Sequence, residues 1–104
     1  PDAFTASLVQ QGDRQIGVWP RVRGAAGYRI ELQAANPAER DELSVRADTA
    51  YAIPTDLRGG GTVRIEALDP NLYRYITGGQ TARAGIDGGY GVFGAVSSTL
   101  ISFK

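Results

Sequence analysis

The chain has 104 residues, enough for one domain with a real core and too few for two. Eleven Lys and Arg balance eleven Asp and Glu, so the basic surplus that favours nucleic acid or anionic membranes is missing. With no cysteine and no histidine, disulfides, thiol chemistry, the usual general base and the commonest metal ligand are all excluded.

Residues 4–10, FTASLVQ, and 14–19, RQIGVW, read as short strands. In the second, Ile16 and Val18 are out of phase with Trp19, so all three reach one core only if a bulge lies between them. GYRIELQ (27–33) alternates strictly. Tyr28, Ile30 and Leu32 share one face and Arg29, Glu31 and Gln33 the other, the pattern of a half-buried antiparallel strand. ELSVRA (42–47) reads as a strand with Leu43 and Val45 inward, and TAYAIP (49–54) as one with Tyr51 and Ile53 inward, ended by Pro54. TVRIEAL (62–68) repeats the alternation, with Val63, Ile65 and Ala67 against Arg64 and Glu66.

DPNLYRYITGG (69–79) breaks the β pattern. Asp69 is placed as an N-cap, Pro70 as the first helical residue and Gly78 as the stop, which predicts a helix over 70–76. VSSTLISF (96–103) is a final β-branched strand. Turn signals separate these runs, and seven short strands at such spacing predict a sandwich. Register follows from charge. If Ile30 faces Ile65, Tyr28 faces Ala67 and Leu32 faces Val63, while Arg29 meets Glu66 and Glu31 meets Arg64 with opposite signs. A slip of two residues opposes like charges, and a slip of one turns the apolar face outward.

GYGVFGAV (89–96) contains a literal GxGxxG. A dinucleotide site needs a helix after it and an acidic residue about 20 positions on, yet Gly94 is followed only by AVSSTLISFK, a strand pattern. Gly88, Gly89, Gly91 and Gly94 are therefore read as turn and bulge positions. The run GGG (59–61) lacks the Lys-Ser or Lys-Thr of a phosphate loop and reads as a turn. Ser97 and Ser98 have no histidine partner for nucleophilic chemistry. Asp41 and Glu42 fall on opposite faces of one strand. Asp56, Asp69 and Asp87 are loop aspartates without calcium-loop spacing. The reading is a protein without enzymatic activity, cofactor or metal.

VWPRVRGAAGYRIEL (18–32) resembles the stretch of a fibronectin type III domain in which a tryptophan closes strand B and Tyr-Arg opens strand C. DTAYAIPTDLRGGGTVRIEALD (48–69) resembles that family's E-to-F stretch, with Gly61 where the family has a tyrosine, and FGAVSSTLISF (93–103) resembles its strand G. The resemblance implies an all-β, immunoglobulin-like, seven-stranded sandwich over residues 1–104, with the helix inserted in the F–G connection. A second resemblance covers the last part of the chain. Tyr73, Tyr75, Gly88, Gly89, Tyr90, Gly91, Phe93, Gly94 and Ala95 are similar to the tail of an uncharacterised family of Bacteroidetes cell-envelope lipoproteins. It implies an extracytoplasmic location. Together with Pro1 in first place and the lack of a signal peptide or membrane span, it implies a piece of a longer chain, with no membrane insertion by this domain.

Tyr73, Tyr75, Tyr90 and Phe93 are the candidate contact residues for a ligand or partner. All lie in a connection of about 20 residues, a length usually reserved for functional segments. Two readings follow. One is a non-catalytic spacer or protein-interaction module of a larger envelope or secreted protein. The other is a carbohydrate-binding module in which exposed rings stack on sugars. A packed satellite core around Tyr73 and Phe93 is the structural alternative. Protein or polysaccharide is the expected partner, nucleic acid is not, and the oligomeric state is left open.

Overall fold

The computed structural model describes residues 1–36, 41–57, 59–78 and 96–104. β1 (Ser7–Gln11), β2 (Arg14–Val18) and β5 (Ala50–Ala52) form a three-stranded sheet in the order β1-β2-β5. β3 (Gly27–Ala34), β4 (Asp41–Arg46), β6 (Gly61–Leu68) and β7 (Val96–Phe103) form a four-stranded sheet in the order β4-β3-β6-β7. Every pairing is antiparallel. One hydrophobic cluster draws on both sheets, so the architecture is an all-β sandwich.

The charge-matched register is the observed one. Ile30 pairs with Ile65, Tyr28 with Ala67 and Leu32 with Val63, and all six are essentially inaccessible. Fully burying a side chain such as Ile30, Leu32, Val63 or Ile65 contributes about 1.5–3 kcal/mol, so this patch is a substantial source of stability. On the other face Arg29 Nε lies 2.5 Å from Glu66 Oε1, and Arg64 Nε lies 4.0 Å from Glu31 Oε1. β7 extends the buried face with Ile101 and Phe103, and the three-stranded sheet closes over it with Trp19, Tyr51 and Ile53. Gly17 admits this closure: a Cβ there would stand 3.2 Å from Ile101 Cδ1.

One expectation is corrected, and one condition is not met. Leu43 does not face inward: it is 66% exposed. β4 pairs with Glu31 opposite Leu43 and Arg29 opposite Val45, which puts both apolar side chains on the outer face. The inward positions of β4 are Glu42, Ser44 and Arg46. The guanidinium of Arg46 lies 5.1 Å from the centre of the Tyr51 ring and Tyr51 Oη donates to Glu42 Oε1 at 3.3 Å. Polar side chains are tolerated there because β4 is an edge strand, where water reaches the rim of the sandwich. The bulge in β2 is also absent. The β1–β2 and β2–β5 ladders run without a break, so Trp19 and Gly17 face the core while Ile16 and Val18 stand half-buried on the other face.

At the end of the four-stranded sheet where β3 begins, Trp19 meets Tyr28 edge-on with ring centres 5.5 Å apart, and Phe4 meets Tyr28 at 6.5 Å. The Tyr28 hydroxyl accepts from the backbone N–H of Val22 at 3.0 Å and so pins the β2–β3 connection. The N-terminus is tied to the same end: Asp2 N–H donates to the Arg23 carbonyl and Ser97 Oγ donates to the Asp2 carbonyl. Helix α1 (Pro70–Thr77) follows β6 directly. Asp69 caps it by accepting from Leu72 N–H at 2.8 Å, and Gly78 ends it, as the sequence predicts. At the opposite end the GGG run makes the turn into β6. Gly60 takes φ +75°, and a Cβ there would meet the Phe103 carbonyl oxygen, next to Lys104.

Candidate functional site

Of the four aromatic candidates, Tyr73 and Tyr75 lie on α1, while Tyr90 and Phe93 fall outside the described residues, as does the GxGxxG string. Tyr73 and Tyr75 are both half-buried. The ring of Tyr73 lies over Gly27 on the outer face of the four-stranded sheet, so close that a Cβ at Gly27 would overlap it. Leu68, opposite Gly27 in the ladder, is wholly buried yet stands apart from the core cluster. Its parity is that of Glu66 and Arg64, and α1 packs against β3 and β6. Tyr73 and Gly27 thus form a small packing contact outside the sandwich core.

The loop aspartates are not brought together. Asp69 caps α1 at one end of the sandwich, whereas Asp56 follows Pro54 at the other, and Asp87 is outside the described residues. Asp41 lies opposite Gln33 on the outer face and Glu42 turns inward toward Tyr51, so they diverge as alternation requires. Among the described residues no cluster of acidic side chains suits a metal ion, and no helix is long and apolar enough to cross a membrane. Ser97 is engaged with the Asp2 carbonyl.

Several open depressions lie among the described residues. One of about 500 Å³ lies beside the GGG turn between Gln33, Asp41, Thr62 and Lys104, and one of about 240 Å³ lies between Gln10, Asp13, Thr55 and Lys104. A third, of about 280 Å³, sits on the outer face of the four-stranded sheet among Arg29, Glu31, Leu43, Arg64 and Glu66. This face is the feature missed by reading strands singly. The ladders align Val45, Arg29, Glu66 and Ser98 in one row across the four strands and Leu43, Glu31, Arg64 and Leu100 in the next. Leu43 and Leu100 are 66% and 57% exposed. The signal was present in the Arg29–Glu31 parity: once β4 pairs with β3, its odd residues must share the charged face. Comparisons with protein-family models, with curated proteins and with solved structures found no match.

Proposed function

We propose that this chain is a fibronectin type III-like domain serving as a non-catalytic spacer or interaction module of a larger cell-envelope or secreted protein. The observation that carries the reading is the pairing of the strands: the orders β1-β2-β5 and β4-β3-β6-β7 agree with the resemblance of residues 18–32 and 48–69 to that family. The absence of histidine and cysteine from the sequence removes the commonest catalytic apparatus. Fold alone does not assign a role; the composition supports this one.

The carbohydrate-binding alternative rests on Tyr73, Tyr75, Tyr90 and Phe93, of which the first two are among the described residues. The seating of Tyr73 on Gly27 favours packing over display for that ring. The test has two arms. Chromogenic ester, phosphate and glycoside substrates should show no turnover, and calorimetry with ATP and NAD no saturable binding. Affinity electrophoresis through soluble polysaccharides should show no retardation. Turnover or nucleotide binding removes the proposal, and retardation lost on Tyr75→Ala replaces it with the carbohydrate reading.

A further inference from the structure

We propose that the outer face of the four-stranded sheet binds a second copy of this chain. The argument is charge complementarity, and it needs only the observed register, not the functional reading above. In adjacent rows, Arg29 on β3 stands beside Glu66 on β6, and Glu31 on β3 stands beside Arg64 on β6. The four charges make a checkerboard. A two-fold axis lying in the face and running between its squares superimposes every positive square on a negative one.

Two such axes exist, and α1 selects between them. An axis along the strands would bring both α1 helices to the same end of the interface, one against the other. An axis across the strands, between the two rows, sets them at opposite ends. Under that rotation Arg29 meets the partner's Glu31, and Arg64 meets the partner's Glu66. On the β4 side Val45 meets the partner's Leu43, and on the β7 side Leu100 meets the partner's Ser98. The two exposed leucines thereby gain partners beside a charged centre. The depression among Arg29, Glu31, Leu43, Arg64 and Glu66 gives opposing side chains room to seat. Arg64 and Glu31 are each about half exposed and 4.0 Å apart, a loose pair free to exchange partners.

Beyond the end occupied by α1, the face measures about 19 Å across four strands and about 20 Å along six residues, on the order of 400 Å² per copy. This is well below the roughly 800 Å² per partner of a standard stable interface. The dimer is therefore weak, and its charged centre makes it weaken with salt.

Sedimentation equilibrium of the 104-residue chain tests this from about 10 μM to about 1 mM, the range expected of a sub-standard interface. The expected result is a monomer–dimer equilibrium that shifts toward monomer as salt is raised. Glu31→Arg and Arg29→Glu should each lower the association constant at least tenfold, because each opposes like charges across the axis. Mixed in equal amounts they should associate as a one-to-one heterodimer, since each then supplies the charges the other lacks. Because Arg29 also bonds Glu66, circular dichroism checks that its variant is folded. If it is not, Leu43→Lys replaces it, as an exposed position whose substitution should remove association and leave stability intact. A wild-type chain that stays monomeric at 1 mM, association indifferent to these substitutions, or a mixture that fails to associate would overturn the proposal. Rescue of Glu31→Arg by Arg64→Glu instead of Arg29→Glu would overturn the cross-strand axis.

Discussion

Replacing Gly27 with alanine isolates what holds α1 on the sandwich. The new Cβ would overlap Tyr73 Cε1 and Cδ1 outright and stand 3.1 Å from Cζ, whereas carbon atoms in contact need about 3.5–4.0 Å. One side has to retreat by about an ångström or more. β3 is locked between β4 and β6, so the Tyr73 ring and the helix under it are what give way. Overpacking of this kind costs about 1–3 kcal/mol, of which the reduced freedom of the unfolded chain at a Gly→Ala site returns about 0.4–1 kcal/mol. At about 4–8 °C per kcal/mol for a domain of this size, Gly27→Ala should melt several degrees below the parent. The assay is urea denaturation followed by the fluorescence of Trp19, run as a double-mutant cycle with Tyr73→Ala. Once Tyr73→Ala has removed the ring, the same Gly27 substitution should be neutral or slightly stabilising, because nothing remains to collide with. Equal losses in both backgrounds, or no loss in the parent, would refute the placement of Tyr73.

Tyr28→Phe removes the hydroxyl that accepts from Val22 N–H and leaves a buried donor unmatched, so it should cost about 1–3 kcal/mol in chemical denaturation. Asp69→Ala deletes the cap on Leu72 N–H and should cost about 0.5–2 kcal/mol, with faster amide exchange in residues 70–77. Leu43 and Leu32 provide a contrast on neighbouring strands. Leu32→Ala should cost about 2–5 kcal/mol, while Leu43→Ala, at a position 66% exposed, should stay within about 0.5 kcal/mol. Equal costs at the two positions would mean that the β4 phase is wrong.

The central pair of strands was legible because two independent patterns agreed there. Apolar alternation chose the faces of β3 and β6, and the opposite charges on the solvent side chose the register between them. The helix was legible for a local reason: Asp69, Pro70 and Gly78 are punctuation that acts within one turn. The failures arose where facing is decided by a neighbour. In β4 the apolar residues Leu43 and Val45 suggested the inward face, but pairing with β3 placed Glu42, Ser44 and Arg46 there instead. Trp19 keeps phase with Gly17, which carries no side chain to announce an inward position. Leu68 has the parity of an exposed residue and is nevertheless buried, on the strand that leads into α1. The candidate surface was hidden for the same reason, since a row across four strands exists only once the ladders have formed.

The position of β6 bears on how the chain acquires its structure. It is flanked by β3 and β7, and neither is its neighbour in sequence: β4 and β5 intervene on one side and α1 on the other. Pairing of this long-range kind pays loop-closure entropy before contacts reward it and slows folding toward milliseconds to seconds. The partner on one flank is also the last of the described strands to leave the ribosome. Until Val96–Phe103 emerges, β6, with its apolar inner face, has a bare row of N–H and C=O groups along its length, and a bare apolar edge is a template for aggregation. A nascent chain stalled between Leu68 and Val96 therefore presents the bare flank of β6, just as one stalled before Gly61 presents that of β3.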